Sequence, residues 1–339
     1  FKLALIKASW AARYAKLQLV LTPRQTLRNF RASTSDLQSD TGALIAAAQI
    51  SLLRVDYVPI NQPTDASGAA DLWPDPLPAL PDASDIPAGE NQPLWIRVAV
   101  PRDATAGLYR GHLELSAEGY RASVPLILEV FGFALPSRMS CSTAFGFSFD
   151  EVVRYHNLKT ESQKRQVLDL YFKSFSTHHI SPYELAPLDP LSVSWEGLQP
   201  RFAWEAWDRA VEHALTTYHF NSFRLRLLGL GGGNFQERRA AQLIGFSEST
   251  AEYERALGNY LGAVEHHIEQ RGWLDEAFVY WFDEPRKEDY EFVNKGFAKL
   301  KRHAPKLRRM LTEQVEQDLL GGPTIWCPTT PNFTPEQRT

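Results

Sequence analysis

Apolar and polar residues alternate over short runs in the first third of the chain, and the period lengthens to that of helices afterwards. Residues 17–21 and 50–58 predict strands. The clearest unit is 94–100, a turn over 101–107, then 109–115 and 121–131. Leu113 and Leu115 alternate with His112 and Glu114, while Val124, Leu126, Leu128 and Val130 share one face. That pattern predicts an antiparallel hairpin with one buried side. Residues 65–92 are rich in Pro, Asp, Ala and Gly, including Trp73-Pro74-Asp75-Pro76-Leu77-Pro78. They predict an extended connection without regular structure, wrapped around a β-sandwich.

Past Leu135-Pro136 the pattern becomes strands alternating with amphipathic helices, the signature of parallel βαβ units. Strands are predicted at 143–149, 179–185, 222–228, 277–282, 309–312 and 324–327. Helices are predicted at 160–177, with Val167, Tyr171 and Phe175 inward, at 204–217, with Trp207, Val211, Ala214 and Leu215 inward, and at 247–270 and 287–303. The expected organisation is multi-domain: an all-β sandwich over 1–137, then an α/β domain over 138–339. A full (β/α)8 TIM-type barrel has eight units, so six predict a barrel truncated after about six, in a chain cut at both ends.

Composition narrows the function classes. A chain of 339 residues that is 44% hydrophobic and 22% charged can bury a sizeable core, which argues against disorder. Its formal net charge of -4, without a long basic run, gives no footprint for nucleic acid. Apolar runs fall short of the roughly 18–20 residues of a spanning helix, so membrane insertion is not expected. Cys141 and Cys327 are too few and too far apart for a disulfide framework or a zinc pattern, and read as isolated structural thiols. No metal or cofactor is implied. Phe1 opens the chain without an initiator Met, a charged leader or a cleavage pattern, so a signal peptide is either absent or missing from this fragment, and location is not read from it. Nine Trp, twelve Tyr and nineteen Phe suit sugar sites, where a flat ring stacks on the apolar face of a pyranose.

The run Ala277-Phe278-Val279-Tyr280-Trp281-Phe282 is apolar throughout, as in a strand buried on both faces, and it delivers Asp283 and Glu284 before Pro285 ends it. Parallel α/β folds place active sites at that carboxyl end. Two adjacent carboxylates repel, so their environments or a substrate must distinguish them. The alternative is structural: Asp283 capping the next helix while Glu284 pairs with Arg286 or Lys287.

Taken together, Asn91-Gln92-Pro93-Leu94-Trp95-Ile96, Pro101-Arg102-Asp103-Ala104-Thr105-Ala106-Gly107-Leu108-Tyr109-Arg110-Gly111, Trp73-Pro74-Asp75-Pro76-Leu77 and Trp281-Phe282-Asp283-Glu284-Pro285 resemble glycoside hydrolase family 123. The resemblance implies a β-sandwich before a (β/α)8 barrel, and a retaining β-N-acetylgalactosaminidase that uses the substrate's own acetamido group. It further implies a glycan or glycolipid substrate, a secreted, periplasmic or cell-surface location, and Asp283-Glu284 as the catalytic pair. In that chemistry the acetamido oxygen attacks the anomeric carbon and forms an oxazolinium intermediate. Glu284 would protonate the leaving oxygen and later deprotonate water, which requires it to be protonated near neutral pH by burial and by its neighbour's charge. Asp283 would stay ionised and accept from the acetamide N–H. An ordinary retaining pair stands about 5 Å apart across the bond, which neighbours on one strand rarely achieve.

Further candidates surround the pair. Trp281 lies two positions before Asp283, so the pleat aims it at the same interior. Trp326, at the end of the sixth strand, is a candidate wall of the sugar pocket. Tyr183, Asn221 and Arg224 could bond sugar hydroxyls. The loop from Gly229 to Phe235 lacks the Lys-Ser/Thr of a P-loop and reads as a loop over the active site. His178-His179 reads as a structural pair, and Asn332-Phe333-Thr334 as a chance sequon. Two competing readings stay open: a non-catalytic carbohydrate-binding or scaffold protein on the same fold, and a glycosidase of different sugar specificity.

Overall fold

The computed structural model describes residues 4–9 and 14–330. The sequon at Asn332 therefore lies outside the described residues. The chain forms two compact units, Phe1–Ser137 and Arg138–Thr339.

The first unit is β-rich. Gly107–Ala117 and Tyr120–Phe131 pair as an antiparallel hairpin in a seven-stranded sheet, and Ala4–Ser9 runs parallel along its outer edge. A three-stranded sheet sets Gln92–Ala99 between Tyr14–Leu21 and Ile50–Arg54. Leu94, Ile96 and Val98 of the small sheet share one buried cluster with Leu113, Leu115, Val124, Leu126 and Leu128 of the large one. These are the inward positions of alternating strands. Gly111 is needed for a close approach, because a Cβ there would stand 2.6 Å from the Asp36 carbonyl oxygen.

Two expectations for this unit change. The single strand over 50–58 is broken at Val55-Asp56 into Ile50–Arg54 and Tyr57–Ile60. The segment 65–92 is not wholly irregular: Asp71–Pro74 pairs with Tyr57–Ile60 as a two-stranded ribbon, and Ser84–Ile86 pairs with Leu27–Thr34. Pro74 is tolerated because it sits at the end of an edge ribbon.

The second unit is α/β. Its helices are α1 (Phe149–Tyr155), α2 (Glu161–Thr177), α3 (Trp204–Thr217), α4 (Ala251–Arg271) and α5 (Tyr290–His303). Local chemistry sets their ends. Thr160 and Gln163 form a capping box at the start of α2. Thr250 accepts from the Tyr253 N–H at the start of α4, and Gly272 closes that helix at φ 72°. On α5, Val293, Gly296, Phe297 and Leu300 are buried at helical spacing.

Four strands form a parallel sheet in the order Phe223–Arg224, Ala277–Asp283, Arg308–Thr312, Ile325–Trp326. The two preceding predicted strands are reduced to one parallel bridge between Phe145 and Pro182. Their backbones still join in chain order: Phe145 N donates to Ser181 O at 3.0 Å, Tyr183 N to Phe145 O at 2.9 Å, and Arg224 N to Tyr183 O at 2.8 Å. His179 interrupts pairing there with a φ of 55°. A closed barrel is not among the described features. Unpredicted elements include α1, the hairpin of Ser192–Glu196 with Gln199–Ala203, and two short hairpins, Gly232–Gly233 with Arg238–Arg239 and Gln242–Leu243 with Phe246–Ser247. Among the described residues no helix is long and apolar enough to cross a membrane. Cys141 and Cys327 are exposed free thiols, not buried structural ones.

Candidate active site

The central strand does not alternate evenly. Its register against Arg308–Thr312 slips between Tyr280 and Phe282, so Trp281 is an extra residue. Upstream of the slip, Ala277 and Val279 join the cluster on the helix side; beyond it, Phe282 does so as well. Phe278 and Tyr280 face the other way, against the ring of Tyr183 at centroid distances of 6.2 and 5.7 Å. The slip brings Asp283 onto this second face beside Tyr280.

Asp283 is held by two hydroxyls. Tyr280 Oη donates to Asp283 Oδ1 at 2.6 Å, and Thr312 Oγ1 donates to the same oxygen at 2.7 Å. Burial, followed by the bond to Asp283, pushes the Tyr280 phenol well above its usual range, so it remains a donor at all ordinary pH. Burial raises Tyr183 too. Glu284 leaves the strand differently. Its φ is 45°, in the left-handed region that disfavours a side chain, and its N–H donates to Thr312 O at 3.1 Å. Both carboxylates are exposed at the strand end, so the burial expected of Glu284 is not found; its N–H also donates to Thr312 Oγ1 at 3.1 Å, and no hydrogen bond or ion pair to its carboxylate is present among the described residues. The anticipated structural alternative is not what forms: Asp289, not Asp283, bonds the Arg286 N–H at the next helical turn, and Arg286 lies 3.9 Å from Glu288.

The turn after Glu284 is itself pinned. Asp289 is 4% exposed and pairs with Arg238, which lies over the Phe292 ring at 4.2 Å. Arg238 belongs to a small hairpin, Gly232–Gly233 with Arg238–Arg239, in the glycine-rich segment after the Phe223–Arg224 strand.

The other sequence candidates divide. Tyr183 and Arg224 gather beside the pair: the Arg224 guanidinium lies over the Tyr183 ring at 4.9 Å. Trp281 is corrected, because the slip parts it from Asp283: it stays on the helix side with Ala277 and Val279, where its Cζ3 would stand 2.7 Å from a Cβ on Gly296. Trp326 is corrected as well; it pairs with Leu311 and packs against the helix-side cluster. Asn221 sits at the amino end of its strand, and its amide is spent on Met139 O at 3.2 Å, Cys141 O at 3.1 Å and Ser181 Oγ at 3.2 Å. His178 Nδ1 lies 2.8 Å from Ser174 O at the end of α2, as a structural residue would. Tyr280, Thr312 and Glu184 were not singled out from the sequence. Thr312 ends the strand next to the one ending in Asp283, and that shared position was the available signal. Among the described residues no group of three or more His, Cys, Asp or Glu could hold a metal ion.

The fold is a β-rich unit followed by an α/β unit whose central strand ends in two carboxylates. Residues 4–117 match the family model for the glycoside hydrolase 123 N-terminal domain. Over 99% of its length the chain is similar in structure to a family 123 glycoside hydrolase from Clostridium perfringens, with a TM-score of 0.68 and 15% identity. That protein is described in connection with glycolipid glycan hydrolysis. The chain spans 64% of its length, and identity at this level speaks to fold alone. The resemblance to family 123 drawn from the sequence motifs is thus borne out. The CupB2 chaperone of Pseudomonas aeruginosa is also similar over 38% of this chain and 54% of its own, at 11% identity and a TM-score of 0.22, too low to bear on function. No curated protein matches the chain.

Proposed function

We propose that the chain is the sandwich and catalytic part of a retaining glycoside hydrolase that removes terminal β-linked N-acetylhexosamine, with N-acetylgalactosamine as the sugar. The four parallel strands are read as part of a (β/α)8 barrel. The observation that carries the proposal is the unequal treatment of two neighbouring carboxylates. Asp283 is fixed by Tyr280 and Thr312 through one oxygen, Oδ1, which leaves Oδ2 for an acetamide N–H. Glu284 is turned aside by its left-handed backbone and stays exposed, as a group that must reach a glycosidic oxygen and then a water molecule requires.

The reaction then needs no protein nucleophile. The acetamido oxygen forms a bond to the anomeric carbon as the glycosidic bond breaks, and Glu284 gives its proton to the departing oxygen. Positive charge spreads over the oxazolinium ring, which the Asp283 carboxylate stabilises through the N–H. Glu284, now ionised, takes a proton from water, whose oxygen attacks the anomeric carbon and reopens the ring. Configuration is retained through two inversions.

The test is turnover of an aryl β-N-acetylgalactosaminide by the protein and by Glu284→Gln and Asp283→Asn. Losses of about 100-fold or more in each are expected from removing an acid–base or a charge-stabilising group. Near-normal turnover in both variants sinks the proposal, and failure to bind a thiazoline mimic of the intermediate sinks the substrate-assisted part of it.

A further inference from the structure

Because the Glu284 carboxylate has no hydrogen bond or ion pair among the described residues, its direction is set by the backbone that carries it. On the strand side that backbone is held by its N–H, which donates to both oxygens of Thr312. A left-handed φ of 45° at a residue with a side chain is a sparsely populated state, and it persists only where the surroundings over-determine it. The far side of the turn must therefore be held as well.

It is held from another segment. Pro285 is buried and fixes its own φ. The next N–H, that of Arg286, donates to Asp289 Oδ2 at 3.2 Å, and Asp289 N donates to Arg286 O at 2.8 Å. Both bonds keep their geometry only while Asp289 stays in place. Asp289 is buried, and its other oxygen, Oδ1, pairs with Arg238. That guanidinium arrives from the hairpin of Gly232–Gly233 with Arg238–Arg239 and lies over the Phe292 ring at 4.2 Å. Phe235, in the same hairpin, stacks on Phe282 with ring centroids 6.4 Å apart. The hairpin thus meets the chain on both sides of the two carboxylates, at Phe282 before them and at Asp289 and Phe292 after them. Its own path is tight: Gly231 has a φ of 78°, and a Cβ there would stand 2.7 Å from Arg239 O.

We propose that Arg238 is a positioning residue for Glu284. By pairing with Asp289 it closes the turn from Glu284 to Asp289, and the closed turn keeps the carboxylate aimed in one direction without any bond that would compete for its proton. A guanidinium suits the task, since it can pair with a carboxylate in its plane while its face covers a ring. The inference rests on the reading of Glu284 as the acid given above. An ion pair that only stabilised the fold would leave the chemistry of each folded molecule unchanged.

The experiment compares kcat/KM for phenyl and dinitrophenyl β-N-acetylgalactosaminides. Dinitrophenolate departs without a proton, whereas phenolate needs one from the acid. Since kcat/KM covers only the steps up to cleavage of the glycosidic bond, and the folded fraction cancels in the ratio of the two, the phenyl-to-dinitrophenyl ratio reports proton delivery alone. Glu284→Gln should lower that ratio about 100-fold. Arg238→Met should lower it about tenfold, the size of one charged hydrogen bond. The double variant Arg238→Met with Asp289→Asn should show the same fall, although it buries no unpaired charge and its amide oxygen can still accept from the Arg286 N–H. A ratio that falls in Glu284→Gln and not in the double variant overturns the inference and leaves the acid in place. A ratio that Glu284→Gln leaves unchanged refutes the acid, and the inference with it. Should the protein cleave neither glycoside, amide hydrogen exchange at Glu284 and Arg286 decides: exchange about tenfold faster in the double variant than in the parent supports the tether, and equal exchange overturns it.

Discussion

Arg238 and Asp289, 51 residues apart, form an ion pair that fastens the glycine-rich segment to the turn that follows Glu284. Asp289 contributes at both ends, since its second oxygen accepts from the Arg286 N–H at 3.2 Å. Replacing Arg238 by Met should therefore leave a buried carboxylate without its cation. The expected cost is roughly 3 kcal/mol in chemical denaturation, and restoring neutrality with Asp289→Asn in the same chain should recover part of it. Equal stability of single variant and parent would show the pair to be incidental.

Tyr280→Phe removes one of the two donors to Asp283 without changing the ring that meets Tyr183. The loss expected in kcat is about tenfold, the size of one hydrogen bond to a charged group. Thr312→Val should act in the same sense, and the double variant should lose more than either. Steady-state kinetics on the aryl substrate provide the check.

Glu284→Gly separates backbone from chemistry. At a φ of 45° the side chain costs the fold free energy that glycine does not. Stability should rise by about 1 kcal/mol, offset partly by the entropy glycine gains when unfolded, while turnover disappears. A lower melting temperature would show that the carboxylate supports the turn.

Gly296→Ala tests the packing behind the strand. A methyl group there would stand 2.7 Å from Phe282 Cε2 and from Trp281 Cζ3. Helix α5 or the strand must shift, for an expected loss of roughly 1–3 kcal/mol. Because those two residues precede Asp283 directly, kcat should fall with stability, whereas a purely structural cost would leave kcat per folded molecule intact.

Glu276, at the amino end of the same strand, has its carboxyl raised by burial, and its Oε2 finds no partner. A raised folded value means that the native state holds its proton more tightly than the unfolded chain does. Its stabilising contribution is full below the unfolded value and is lost as pH rises through the folded one. Glu276→Gln should accordingly raise the melting temperature at neutral pH and make little difference near pH 3. A gain that is the same at both pH values would point to a cause other than ionisation.

Much of this was legible in the sequence where one period runs long enough to be read. Leu113, Leu115, Val124, Leu126 and Leu128 mark a hairpin by alternation alone, and Val167, Tyr171 and Phe175 mark α2 by their helical spacing. The strand ending in Asp283 was readable as an apolar run closed by Pro285. Its faces were not. Whether Asp283 shares a face with Trp281 or with Tyr280 depends on the register against Arg308–Thr312, a relation between segments that no local pattern contains. For the same reason Tyr280 read as core, although its hydroxyl meets Asp283. Asn221 looked like a sugar ligand because an amide can serve either role, and only the carbonyls of Met139 and Cys141 decide between them. The hairpin at Ser192–Glu196 carries its own signals in the alternation of Val193 and Trp195 and in Gly197, but over a span too short to stand out.

The extra residue at Trp281 makes the strand tolerant of one kind of change and intolerant of another. Substitutions there alter a packing contact, which neighbours can absorb in part. Inserting one further residue between Tyr280 and Asp283 would turn the carboxylate toward α5, whereas deleting Trp281 would restore even alternation and leave it beside Tyr280. Register, more than identity, is thus what this stretch must keep: sequences that drift freely at Trp281 should still not gain a residue between Tyr280 and Asp283.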